Sequence, residues 1–149
     1  WSGMDFMVQK EVADRICATP DGRDYGILTV KLAYFWKVTH RFEVPAAKFT
    51  PQPKVDASVV VFEPTDSAGQ PMDEEWKKLS VFVDAAFAQR RKMLLNSLAA
   101  RWPQFPGKSV ALKAFEVMGL NPKARAENLS PGQLRELCRR LLTASRDQS

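Results

Sequence analysis

Phe49 is followed by Thr50-Pro51-Gln52-Pro53-Lys54, which places an aromatic ring on backbone with little freedom to move it. Each proline fixes φ and removes an N–H donor, and the residue before each is pushed towards extended conformations. The next residues, Val55-Asp56-Ala57-Ser58, lead into Val59-Val60-Val61-Phe62, a β-branched run that reads as a strand buried on both faces. An aromatic held at the lip of a sheet is a platform for a flat ligand such as a nucleobase, or else a plug for the sheet edge. A second cluster, Arg90-Arg91-Lys92, follows an amphipathic stretch. Guanidinium forks bind phosphate bidentately, and cations also relieve the negative end of a helix. Successive residues turn by about 100° on a helix, so three consecutive cations there cannot share a face and at least one must point into the protein or towards a partner. Gln9-Lys10-Glu11, just past a strand end, is either a site edge or an exposed helix entrance. Arg125 and Asn128 read as a loop lock ahead of the last helix rather than a binding site.

The elements that must position these residues follow from periodicity. Phe6, Met7 and Val8 form a strand, and Glu11 to Ala18 a short helix ended by Pro20-Asp21-Gly22. Leu28, Leu32 and Phe35 predict a helix over 28–38, and Arg41 to Val44 alternate as a half-buried strand stopped by Pro45. Residues 1–64 therefore read β-α-α-β-β. Thr65 to Met72 is a polar connector and the best boundary in the chain. Beyond it the pattern is helical. Asp73 can cap a helix carrying Trp76, Leu79, Val83, Ala86 and Phe87; Leu94, Leu95 and Leu98 belong to another; Ser109 to Met118 precedes Gly119. Ser130-Pro131-Gly132-Gln133 has the composition of a capping box before Leu134, Leu137, Cys138 and Leu141.

The 149 residues suit one compact domain or two small ones, with 45% hydrophobic and 26% charged residues. The charge is uneven. Residues 1–71 hold 8 Lys/Arg against 9 Asp/Glu, a net of −1, whereas residues 72–149 hold 14 against 8, a net of +6. The second part therefore suits a polyanion, although a solvated basic surface has the same composition. Cys17 and Cys138 are far apart with no His or Cys neighbour at ligand spacing, and His40 is the single histidine. This argues against a disulfide framework, a zinc site or a histidine triad, and fits a reduced, cytoplasmic setting. No apolar run has the length of a membrane span, and the first residues lack the pattern of a signal peptide. No Gly-rich turn follows a strand, so no nucleotide cradle is visible.

Four segments occur in order: Val8-Gln9-Lys10-Glu11-Val12-Ala13-Asp14-Arg15; Phe49-x-Pro51-x-Pro53-Lys54-Val55-Asp56; Ala86-Phe87-x-Gln89-Arg90-Arg91-Lys92-x-x-x-Asn96-Ser97-Leu98; and Arg125-x-Glu127-Asn128-Leu129-Ser130. Together they closely resemble the bacterial ribosomal RNA small-subunit adenine N6,N6-dimethyltransferases, the KsgA/RsmA family, over nearly all of residues 6–142. The related erythromycin-resistance methylases do not share the third and fourth segments. The resemblance implies an α/β fold, the C-terminal part of a Rossmann-like class I methyltransferase sheet (residues 1–68), followed by a small all-α rRNA-docking domain (residues 69–149). It implies transfer of two methyl groups from S-adenosyl-L-methionine to N6 of each of two adjacent adenosines near the 3′ end of 16S rRNA, within an immature small ribosomal subunit. Phe49 inherits the role of stacking on the target base, and Arg90, Arg91, Lys92 and Lys54 that of RNA contacts.

Two departures qualify this expectation. The family usually has Ser directly after Pro-Lys-Val-Asp; here Ala57 stands there and Ser58 follows, on the opposite face of a strand. The family's Gly-rich cofactor loop, acidic ribose-binding residue and Asn-Leu-Pro-Tyr motif belong upstream of Gln9. The chain is thus expected to be a C-terminal portion that is inactive alone, with an exposed strand edge through which it self-associates. The alternative is a non-catalytic RNA-binding or ribosome-assembly module.

Overall fold

The computed structural model describes residues 4–48, 50–52, 54–65 and 74–147. By its internal packing the chain falls into two compact units, residues 1–71 and 72–149.

In the first unit, β1 (Met4–Gln9) runs directly into α1 (Lys10–Ile16); α2 (Ile27–Phe35) runs directly into β2 (Trp36–Val44); and a 3₁₀ turn at Ala46–Lys48 precedes β3 (Ala57–Pro64). The strands form one sheet in the order β1-β3-β2, with β3 antiparallel to both neighbours. β1 and β2 therefore point the same way. They finish on a single rung, where Gln9 and Val44 both pair with Ala57. Between His40 and Phe42 the register shifts, a bulge that places one extra residue in β2.

Two expectations need correction. Trp36 to Val38 are strand and not the end of a helix. Trp36-Lys37-Val38-Thr39 is rich in aromatic and β-branched residues, which favour a strand, and pairing with Phe62 to Pro64 satisfies its backbone. The central strand β3 is also not buried evenly: Ser58 and Val60 are wholly inaccessible, but Val59 and Val61, on the other face, are only partly covered. On the buried side, Phe62 meets Phe6 and Trp36 edge-on, at centroid distances of 5.3 and 6.1 Å. α2 is anchored at both ends. The Thr29 hydroxyl donates to the Arg15 carbonyl at 2.5 Å, and Thr65 donates through Oγ1 to Tyr34 O and through its amide to Phe35 O.

The second unit contains α3 (Glu74–Ala86), α4 (Leu94–Arg101), α5 (Lys108–Val117), a 3₁₀ turn at Ala126–Asn128 and α6 (Pro131–Asp147). Asp73 lies outside the described residues. Leu79, Phe82 and Val83 of α3, Leu94 and Leu98 of α4, Phe115 of α5 and Leu134, Leu137 and Leu141 of α6 form the core. Phe82 also meets Trp102 edge-on at 5.0 Å. Gly119, at φ 69°, ends α5 in the left-handed conformation that favours glycine. α6 opens with a reciprocal cap, in which Gln133 N–H donates to Ser130 Oγ at 3.1 Å and Ser130 N–H to Gln133 Oε1 at 2.9 Å. Glu75 joins α3 to α6: its Oε1 accepts from Arg135 at 3.0 Å and from Arg139 at 2.7 Å. Burial works against its ionisation, but hydrogen bonds and charge from the two arginines outweigh this and hold the carboxyl below its ordinary range.

Two buried serines have opposite status. Ser97 Oγ donates to Ala85 O at 2.6 Å and ties α4 to α3, whereas Ser58 Oγ has no partner among the described residues. Ser97→Ala is expected to cost about 1–2 kcal/mol and Ser58→Ala less than about 0.5 kcal/mol, or to stabilise; thermal or urea denaturation of the pair measures the difference. Glu75→Gln is expected to cost less than about 1 kcal/mol at neutral pH, because the carboxylate is partly exposed and screened. A carboxyl held low stabilises the fold above its unfolded pKa and loses that contribution as pH falls through its folded value. The gap between parent and Glu75→Gln therefore closes on acidification, as urea midpoints between pH 7 and pH 3 would record.

Candidate nucleic-acid interface

The proline-rich segment leaves the sheet after β2 and rejoins it at β3. Its path begins at the rung where β1, β2 and β3 meet, at the carboxyl ends of the two co-directional strands, the side on which open α/β sheets bind ligands. Phe49 and Pro53 lie outside the described residues. Around them, Lys48, Thr50, Gln52, Lys54 and Val55 are exposed. The 3₁₀ turn is closed by Lys48 N–H donating to Pro45 O at 3.0 Å. At the end of the segment, Asp56 accepts twice: through Oδ1 from Ala46 N–H at 2.8 Å and through its carbonyl from Lys10 N–H at 3.0 Å. Lys10 reaches Glu43 of β2 at 3.7 Å, so the Gln9-Lys10-Glu11 segment borders the same rung. Sequence patterning flagged Phe49 and missed Asp56. Its only local signal was an acidic residue just before a β-branched strand, and its partners lie 10 and 46 residues away.

Arg90, Arg91 and Lys92 do not lie on a helix. α3 ends at Ala86, and Gln89 to Lys92 form a turn in which Lys92 N–H donates to Gln89 O at 3.0 Å. All three cations are exposed, so the helix-face argument that sends one of them inward does not apply. The turn is braced by the third and fourth sequence segments acting on each other. Leu94 begins α4 with no side-chain cap; its orphan N–H donates to Ala124 O at 2.7 Å. Ala86, Phe87, Gln89 and Arg90 line a small cavity with Ala126 and Glu127, and Gln89 Oε1 is buried there without a partner among the described residues. Asn128 Oδ1 accepts from Arg125 N–H at 2.7 Å, and Arg125 also reaches Glu127 at 3.7 Å. This locks the 3₁₀ turn that supports the cationic one.

Neither cysteine is prepared for nucleophilic chemistry. Burial, reinforced by the nearby Glu75 charge, pushes the Cys138 thiol up to about 12, and burial together with Asp14 raises Cys17. Ser58, next to the position where the resemblance expects a serine, points into the buried face and offers no hydroxyl at the loop. The chemistry available is thus non-covalent, and each unit carries its own share of it: exposed polar and cationic residues beside the rung in the first, an exposed cationic turn in the second.

The family model described as ribosomal RNA adenine dimethylase matches residues 1–142. Over 130 residues the chain is 39% identical to the ribosomal RNA small subunit methyltransferase A of Salmonella typhimurium and 42% identical to that of Acinetobacter baylyi, covering 87% of this chain and 44% of each relative. It is 42% identical to the Gloeobacter violaceus protein of the same name over 136 residues, which is 48% of that protein. The chain thus spans about half the length of the curated relatives it matches. Among solved structures, a dimethyladenosine transferase from Plasmodium falciparum superposes with a TM-score of 0.72 at 24% identity, covering 92% of this chain and 56% of that one. The 23S rRNA methyltransferase ErmE superposes with a TM-score of 0.66 at 20% identity, covering 94% and 55%. These likenesses make the fold that of a Rossmann-like methyltransferase sheet followed by a helical unit. With the family model matched from residue 1 to residue 142, this chain belongs to the ribosomal RNA adenine dimethylase family.

Proposed function

We propose that the chain is the C-terminal portion of a cytoplasmic enzyme that dimethylates N6 of two adjacent adenosines near the 3′ end of 16S rRNA, in an immature small ribosomal subunit. The observation that carries this reading is the family match across residues 1–142, with the proline-rich loop starting where the strands end. An exocyclic adenine amine is a weak nucleophile because its lone pair is delocalised into the ring. The base must leave its stack, be held flat and be aligned with the methyl donor. Within that task Phe49 stacks on the extruded base, while Lys54 on the loop and Arg90, Arg91 and Lys92 on the braced turn hold phosphates. A non-catalytic assembly module is the weaker reading, since relatives matching 87% of this chain are named methyltransferases.

S-adenosyl-L-methionine is the methyl donor such an enzyme requires, and no strand–glycine–helix cradle for it occurs among the described residues. β1 passes into α1 at Gln9–Lys10 with no glycine between them, and the two helices preceded by glycine, α2 after Gly26 and α5 after Gly107, both follow loops. The share of the reaction assigned to this chain is therefore binding and orientation of RNA. β1 and β2 are the outer strands of the sheet, and self-association through β1 is part of the same proposal; a strictly monomeric chain in sedimentation at high concentration would contradict it.

Two binding measurements test the proposal. Equilibrium dialysis with labelled S-adenosyl-L-methionine is expected to show no micromolar binding to the 149-residue chain; saturable micromolar binding would overturn the partial-enzyme reading. A fluorescent RNA hairpin with the sequence of the 16S 3′ end is expected to bind with an affinity that falls linearly with salt on a log–log plot. Arg90→Ala, Arg91→Ala and Lys92→Ala should each lower that slope by about 1. Slopes unchanged in all three variants would remove the cationic turn from the interface.

A further inference from the structure

The loop between β2 and β3, whose sequence includes Phe49, is closed at its root by one residue. Asp56 Oδ1 takes the Ala46 N–H at 2.8 Å, Asp56 O takes the Lys10 N–H at 3.0 Å, and the following residue, Ala57, pairs with both Gln9 and Val44. The last residue of the loop thus joins the loop's first turn, through its side chain, to the start of α1, through its carbonyl. Ala46 opens the 3₁₀ turn, so its N–H is an orphan donor, and a carboxylate is the strongest neutral-pH acceptor a side chain offers it. In the sequence between Ala46 and Asp56, Pro51 and Pro53 limit the freedom of the backbone. A stiff loop passes movement at its root to its tip instead of absorbing it.

We infer that Asp56 is a positioning residue for adenine methylation: its carboxylate fixes the root of the loop and so sets where Phe49 meets the base. The inference rests on the reading of Phe49 as the base-stacking residue. Asp56 touches neither base nor donor in this role, and Lys10 at the start of α1 and Glu43 of β2, paired at 3.7 Å, border the same root.

The experiment has two parts. In the 149-residue chain, hydrogen exchange of the Ala46 amide, read by NMR, is expected to be slowed well below the free-peptide rate. Asp56→Ala should accelerate it by about tenfold or more, and Asp56→Asn, which keeps an Oδ1 acceptor, should restore the slow rate. In the intact enzyme, Asp56→Ala should lower kcat by about 10–100-fold with KM for RNA nearly unchanged, as expected from misplacement of a bound base, and Asp56→Asn should return kcat to within about threefold. Phe49→Ala serves as the comparison. An Ala46 amide that exchanges freely in the unsubstituted chain overturns the inference even if Asp56→Ala fails to fold. Loss of kcat in Phe49→Ala but not in Asp56→Ala overturns it while leaving the platform standing. An unchanged kcat in Phe49→Ala overturns both.

Discussion

The rung formed by Gln9, Ala57 and Val44 is the constraint on which the first unit depends, because three strands and a loop share it. β3 runs between two strands that point the opposite way, so its first residue must meet the last residues of both. The chain can reach that position only by a return loop after β2, and the return loop is the proline-rich segment. Hydrogen bonding at the rung thus places the loop at the carboxyl ends of β1 and β2, where ligands of α/β sheets collect. Asp56 adds a charge-assisted tie at the same point, and α1 starts from it through the Lys10 amide.

The second unit solves a different problem, that of presenting charge. Three adjacent cations gain nothing from burial, since desolvating them would cost more than most single contacts return. The fold instead leaves them exposed on a turn and invests its hydrogen bonds in the turn's supports: Ser97 to Ala85, Leu94 to Ala124 and Arg125 to Asn128. Several other arginines of this unit pair internally. Arg135 and Arg139 share Glu75, and Arg140 pairs with Glu136. Net charge alone therefore overstates the cations available to a polyanion.

Patterning made much of this legible. The β-α-α-β-β order, the Ser130–Gln133 cap and the buried stripe of Leu134, Leu137, Cys138 and Leu141 are local features, and local physics writes them plainly. Leu28, Leu32 and Phe35 gave the right helix but not its end, because the apolar run continues without a glycine or proline into Trp36 and the switch to strand is decided by pairing with β3. The Arg90–Lys92 turn has no local signal either: nothing in Ala88-Gln89-Arg90-Arg91 breaks a helix, yet α3 ends at Ala86, where Phe87, Gln89 and Arg90 line a cavity with Ala126 and Glu127. Asp56 and Glu75 act over separations of 10 to 64 residues, beyond any periodic signal.

The central claim is that the loop between β2 and β3 meets the target adenine. Photo-crosslinking tests it most directly, with 8-azidoadenosine at the two adjacent adenosines of the 16S hairpin bound to the intact enzyme and the labelled peptides mapped by mass spectrometry. The account requires label on the peptide spanning residues 49–54, and much less of it after Phe49→Ala. Label confined to residues 74–147, with none on the loop, would contradict it.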